Sequence, residues 1–236
     1  TQEQIYDLSS SGGLLYAMKV TRNPSLNYLL ELDQGGTPTG LSINLPSQLA
    51  MSVYGSFVYS VGAGDNIQQY SLSGAFITGY DISAECSDAE GVCTDGLDFY
   101  VLDQLKQTVF KYDSSFSYTG KSINLGSRCF GLEFSSGYIY TTDMAGLRIK
   151  KLTTSLELVS EYSIDKTFIP LEVGGGAFVG DFFLVPSIPA DESLGECIAY
   201  NYKDGIYDAL YLPKDRVIKT TSHKVYECAA ATDLDP

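Results

Sequence analysis

The sequence predicts an all-β fold, a β-propeller of four-stranded blades, on three observations. One short motif recurs six times at near-constant spacing. The stretches between its copies read as short alternating strands bounded by Gly, Asp, Ser and Pro. No window carries a sustained 3.6-residue apolar period flanked by caps, so helices are not expected.

The motif is a small or turn residue, an apolar or aromatic pair, and then an anchor, usually aromatic. It is read at Gly13-Leu14-Leu15-Tyr16, Ser56-Phe57-Val58-Tyr59, Leu97-Asp98-Phe99-Tyr100, Gly137-Tyr138-Ile139-Tyr140, Asp181-Phe182-Phe183-Leu184 and His223-Lys224-Val225-Tyr226. The anchors at 16, 59, 100, 140, 184 and 226 are separated by 43, 41, 40, 44 and 42 residues. A period of about 40–45 with four strands is the signature of a propeller blade.

Within each period the strands follow in order. The first precedes the motif: Ile5 to Leu8, Leu49 to Val53, Gly91 to Cys93, Phe130 to Phe134, Val173 to Val179 and Val217 to Thr220. The motif is the second, ending in a turn with Asp or Gly, such as Gly62-Ala63-Gly64-Asp65, Asp103-Gln104 or Asp143-Met144-Ala145-Gly146. The third alternates, as in Val109-Phe110-Lys111-Tyr112, and the fourth runs, for example, over Leu41–Leu45, Tyr118–Leu125 or Leu158–Ile164. The blades are placed at 1–46, 47–84, 85–126, 127–166 and 167–213, within a single domain over 1–236. Residues 214–236 hold two strands only, which predicts six blades with an incomplete last one. A five-bladed ring with an extra hairpin is the alternative, and strands supplied by another chain are a third arrangement.

The stretch Gly96-Leu-Asp-Phe-Tyr-Val-Leu-Asp103-Gln-Leu-Lys-Gln-Thr-Val-Phe-Lys-Tyr-Asp113 resembles the repeat of NHL- and YVTN-type six-bladed propellers. There a strand ending in an Asp-containing turn leads to a strand ending in aromatic-Asp. The third and fourth copies carry the likeness best, and it implies a fold far more than a function.

Composition excludes several functions. The 236 residues include no Trp and one His, so a His-rich zinc site, an HExxH helix and WD-type repeats are all ruled out. A formal charge of −14 repels phosphate backbones and anionic lipid, so neither nucleic acid nor a membrane surface is the expected partner. Apolar residues at 44% suffice for a packed core, and no run of about 18 apolar residues spans a bilayer.

Five cysteines occur, and the short Cys86–Cys93 segment is expected to be stapled by a disulfide. Cys197–Cys228 is a second candidate pair, and Cys129 is the odd one out. The reading of all five as buried thiols stands beside these. The start at Thr1 fits removal of a signal or pro-segment, and a trimmed chain equally. An oxidising setting is expected, secreted or on a cell or virion surface. No Asn-x-Ser/Thr sequon is present.

Loops after the second and fourth strands of each blade share one rim, here the first rim. It receives Asp65, Asp81, Glu85, Asp88, Glu90, Asp103, Asp143, Asp165, Asp191, Glu192 and Glu196, and the second rim is mainly Ser and Gly. An acidic rim suits a basic partner or a divalent cation. A plainer reading makes Asp65, Asp103 and Asp143 turn caps. The insertions Pro186–Glu196 and Ser83–Cys93 are the likeliest recognition loops by position. The binding candidates are therefore Asp88, Glu90, Asp103, Asp143, Asp191, Glu192 and Glu196.

The sequence points to a non-catalytic binding, adhesion or assembly module that recognises a protein or glycan, with no cofactor. The alternative is a Ca2+-dependent hydrolase or lactonase resembling SMP-30 and strictosidine synthase propellers, using the central channel. Asp7, Glu133 and Glu172 are candidate inward carboxylates for it, but the accompanying asparagines are missing from the first strands. Gly174-Gly175-Gly176 lacks a following P-loop lysine and is read as allowing close backbone approach at a crowded centre. His223 is read as a surface turn residue, and Cys129 beside Arg128 as a buried thiol. The short last blade also offers an edge for oligomerisation.

Overall fold

The computed structural model describes residues 3–22, 25–33, 38–62, 65–164, 172–179, 182–188, 196–201, 206–211, 216–219 and 227–229, with backbone alone from 187 onward. Every described element is a strand. Blade 1 is β1 (Glu3–Ser11), β2 (Leu14–Arg22), β3 (Ser25–Leu32) and β4 (Pro38–Asn44). Blade 2 is β5 (Ala50–Tyr54), β6 (Phe57–Val61), β7 (Asn66–Ser71) and β8 (Phe76–Asp81). Blade 3 is β9 (Ala89–Thr94), β10 (Phe99–Asp103), β11 (Thr108–Tyr112) and β12 (Tyr118–Asn124). Blade 4 is β13 (Cys129–Ser135), β14 (Tyr138–Asp143), β15 (Arg148–Thr153) and β16 (Leu158–Ser163). Each is an antiparallel meander in sequence order.

The fifth sheet departs from expectation. It joins seven strands: β17 (Glu172–Val173), β18 (Ala177–Val179), β19 (Phe182–Ile188), β20 (Glu196–Asn201), β21 (Ile206–Tyr211), β22 (Arg216–Lys219) and β23 (Glu227–Ala229). The six-blade count is therefore corrected to four four-stranded blades and this larger sheet. The strands expected to begin a sixth blade extend the fifth sheet instead, with Leu210 of β21 paired to Lys219 and Val217 to Cys228. The physical reason lies at the centre, where β18 and β19 already contact β1. The Leu8 amide donates to the Gly175 carbonyl at 3.1 Å and the Gly175 amide to the Tyr6 carbonyl at 2.9 Å. With β1 taken, strands following β21 can only add to its open edge.

Burial grades outward along each blade. All of β9 is buried, whereas β12 is almost wholly exposed. The inner strands meet their neighbours around the axis, and the outer ones face solvent.

Neighbouring blades pack face to face, and the anchors of the repeat lie in the seams. Tyr16 sits with Met18 and Leu29 against Met51, Val53 and Val58 of blade 2. Tyr59 and Val61 pack against Phe99, Val101 and Tyr112 of blade 3. Tyr100 and Leu102 pack against Leu132, Ile139 and Leu152 of blade 4. Tyr140 and Ile149 pack against Val173, Phe183 and Val185 of the fifth sheet. Each of these four anchors thus faces the following blade or sheet, and its strand neighbours face the preceding one, as a two-residue period requires. Burying an aromatic at every seam contributes about 2–3 kcal/mol apiece and sets the 40-residue rhythm of the sequence.

That alternation also explains why Cys86 and Cys93 are not bridged. Both are free and buried. Cys86 packs in the seam between blades 2 and 3, whereas Cys93 packs in the seam between blades 3 and 4. The expected disulfide is corrected accordingly: the two thiols lie on opposite faces of one sheet. The side chains of Cys197 and Cys228 lie outside the described residues.

Glycines let the inner strands approach. A Cβ on Gly131, at φ 64°, would lie 2.3 Å from the Gly175 Cα, and one on Gly91 would lie 2.8 Å from the Gly131 carbonyl carbon. Gly126, at φ 69°, has open space around it. In urea denaturation, Gly126→Ala is expected to destabilise by about 1 kcal/mol through backbone strain alone. Gly131→Ala adds overlap and is expected to lose about 3 kcal/mol or more. Equal losses would show that the centre is not close-packed.

Candidate functional site

Two groups of carboxylates are separated by the fold: one in the turns of the first rim, one buried at the axis. The rim group is built by local chemistry. Asp103, the last residue of β10, accepts the Lys106 amide at 2.7 Å on Oδ1, and the Ser87 amide at 2.8 Å on Oδ2. Asp143, at the same place in β14, accepts the Gly146 amide at 2.8 Å. Both are buried, so they close the turns rather than face a partner. These hydrogen bonds outweigh burial and hold the Asp103 carboxyl below the ordinary carboxylate range.

Asp88 and Glu90 lead into β9 at the same rim. Asp88 is half-buried, and Glu90 is 8% exposed with Oε2 unpartnered among the described residues. Burial first, and the Asp88 charge second, push Glu90 up to about 7, against the pull of Arg128. Arg128 is exposed and donates from Nε to Gln104 Oε1 at 2.7 Å. Asp65, Asp81 and Glu85 lie in the same rim's loops. Glu196 begins β20, its side chain undescribed, and Asp191, Glu192 and His223 fall outside the described residues.

The second rim is more acidic than its Ser and Gly content suggests. Asp95 accepts the Leu97 and Asp98 amides and the Tyr100 hydroxyl, and Asp98 pairs with Lys111 at 2.7 Å. Asp113 accepts the Ser115 and Ser117 amides in the next turn. The negative charge is therefore shared between the rims.

The axial group was partly legible as inward carboxylates. Asp7 is fully buried on β1; its Oδ2 accepts the Met51 amide of β5 at 2.7 Å. Its Oδ1 has no hydrogen-bond partner and lies where a Cβ on Gly175 would sit, 1.7 Å away. Glu133 of β13 accepts the Ser10 amide at 3.1 Å on Oε1, with the Ser9 hydroxyl 3.4 Å from Oε2. Ser9 Oγ in turn accepts the Val53 amide at 3.1 Å. Burial is the main cause that raises Asp7 well above the carboxylate range and Glu133 to about 8. Glu172 of β17 has no described side chain.

These residues do not fit a divalent cation. Asp7 Oδ1 abuts glycine backbone, the Glu133 oxygens take serine donors, and among the described residues no group of three His, Cys, Asp or Glu is placed to hold a metal. The reading of Gly174-Gly175-Gly176 as close-approach glycines matches the geometry, since a Cβ on Gly174 would lie 2.2 Å from the Tyr6 carbonyl oxygen.

Lys150 was not singled out by sequence. It is 4% exposed, donates to the Leu125 carbonyl at 2.6 Å and the Ser127 hydroxyl at 2.7 Å, and lies 3.5 Å from Glu161. An alternating Lys150-Lys151 pair on an amphipathic strand gives no signal that one of the two points inward.

No family model matches the chain, and no curated protein matches it. Solved structures do. A streptogramin B lyase aligns at 14% identity and TM-score 0.61, covering 97% of this chain and 84% of that one. A catalytically inactive virginiamycin B lyase from Staphylococcus aureus with quinupristin aligns at 12% and 0.61, covering 98% and 86%. Glutaminyl cyclase from Myxococcus xanthus aligns at 12% and 0.55, covering 84% and 89%. At these identities the likeness establishes the propeller fold alone, and the finer NHL- and YVTN-type assignment has no family match behind it. Among the described residues no helix is long and apolar enough to cross a membrane.

Two outcomes test this geometry. Asp103→Ala is expected to lose about 2–4 kcal/mol, more than Asp143→Ala, because it strands the Ser87 and Lys106 amides and the Ser87 hydroxyl rather than the Gly146 amide. The Asp103 contribution is present above about pH 4 and lost as pH falls through its lowered value, so the deficit shrinks in acid urea melts. Separately, burial raises the thiols of Cys86 to about 12 and Cys129 to about 11. A thiol reagent at about pH 8 should label Cys86, Cys93 and Cys129 only after unfolding, with no reductant. A requirement for reductant would restore the disulfide.

Proposed function

We propose that the chain is a non-catalytic binding module whose recognition surface is the first rim with its inserted loops. The observation that supports it is the filled axis: glycine backbone and Asp7 occupy the level at which an open propeller channel would admit a substrate or metal. The groups left to meet a partner are on the loops. Asp81, Glu85, Asp88 and Arg128 stand at the described part of the rim, and the Pro186–Glu196 insertion expected there lies mostly outside the described residues. The formal charge of −14 favours a cationic protein surface over a neutral glycan. A secreted or surface-exposed setting is part of the same reading, with no cofactor.

The competing reading is an enzyme. The streptogramin B lyase and glutaminyl cyclase likenesses keep it in view, since propellers host both chemistry and binding. The test is binding to a Lys- and Arg-rich peptide array and to a glycan array, with the wild type and a Glu85→Gln, Asp88→Asn double variant. Binding to cationic peptides that weakens about tenfold in the variant and falls with salt, at unchanged Tm, is the expected result. Selective glycan binding unaffected by the variant would overturn the choice of surface and partner. Turnover of a cyclic depsipeptide or an N-terminal glutaminyl peptide would overturn the non-catalytic reading.

A further inference from the structure

Beside its ladder with β2 and the apolar seam of blades 1 and 2, β1 is tied to its neighbours by side chains that carry or contact carboxyl groups. On one flank Asp7 Oδ2 accepts the Met51 amide and Ser9 Oγ accepts the Val53 amide, tying β1 to β5. On the other, Ser10 donates through its amide and hydroxyl to Glu133 Oε1, tying β1 to β13. Between them the Leu8 amide donates to the Gly175 carbonyl and the Gly175 amide to the Tyr6 carbonyl. This is the one place where the N-terminal strand closes the ring, and it is dry: Asp7 is fully buried and Glu133 is 2% exposed.

We propose that Asp7 and Glu133 form an acid-closed clasp: carrying protons, they hold β1 against β5, β13 and Gly175, and losing them charges the dry centre and releases β1 from the ring. The groups acting on Asp7 are the Met51 and Leu8 amides and the carboxyls of Glu133 on β13 and Glu90 on β9. The Cys93 thiol of β9 feels both Glu133 and Asp7. Gly174–Gly176 bring only backbone, and β5 brings only amides to this point. Among the described residues, the cation that acts on this group is Arg128, and it acts on Glu90 from an exposed position. Full ionisation therefore places several negative charges in a dry centre without a paired cation, which a low-dielectric site does not tolerate.

The direction of the pH effect follows. A group raised in the folded state contributes stability that is complete below its unfolded value and is lost as pH rises through the folded value. Glu133 lies at about 8, with Asp7 raised in the same sense. The window is therefore about pH 5 to about pH 8, above the range in which turn carboxylates such as Asp103 titrate.

Amide hydrogen exchange, corrected for the intrinsic rate, reads the clasp against the rest of the ring. Between about pH 5 and about pH 8 the protection of Leu8 and Gly175 is expected to fall by about tenfold or more, while that of Ile149 in blade 4 holds. In the Asp7→Asn, Glu133→Gln double variant that pH dependence is expected to vanish. If the double variant does not fold, the single Glu133→Gln is expected to reduce the fall for Leu8 by about one proton's share. A uniform loss at Leu8 and Ile149, no loss at all, or an unchanged slope in the variants would each overturn the clasp.

Discussion

The structure depends on how close five inner strands come to one axis. Gly91, Gly131 and Gly175 touch backbone to backbone, at separations no Cβ would allow. That contact brings the inner strands together, and the seams between blades close over Tyr16, Tyr59, Tyr100 and Tyr140.

Position decides what each carboxylate does. In the turns, two amides converge on one oxygen or a pair, and the ionised form is favoured even where burial opposes it, as at Asp95 and Asp103. At the axis, Asp7 and Glu133 have fewer donors than lone pairs and no cation, so burial prevails and the neutral form is favoured. One residue type thus serves as a fixed turn cap in one layer and as a proton-bearing core group in another, a few ångströms further in.

Much of the fold was legible because its cause is periodic. Tyr16, Tyr59, Tyr100 and Tyr140 fill the same seam position in turn, so the 40-residue spacing in sequence is the blade spacing in space. The turn role of Asp103 and Asp143 was legible for the same reason, as was the need for glycine at 174–176. The blade count was not, because the last repeat copy looks like a blade start locally, while its pairing is decided by β18 and β19 having already closed on β1. The Cys86–Cys93 pair failed because loop length says nothing about which face of a sheet a side chain takes. Glu90 was read as a rim residue, whereas its place as second residue of β9 turns it into the buried layer.

The central claim for this propeller is the glycine contact at its axis. The most direct measurement is the nuclear Overhauser effect between the α protons of Gly131 and Gly175. The account predicts a strong cross-peak, retained at acidic pH, with both glycines shielded from solvent. A missing cross-peak with solvent-exposed α protons at these positions would contradict it.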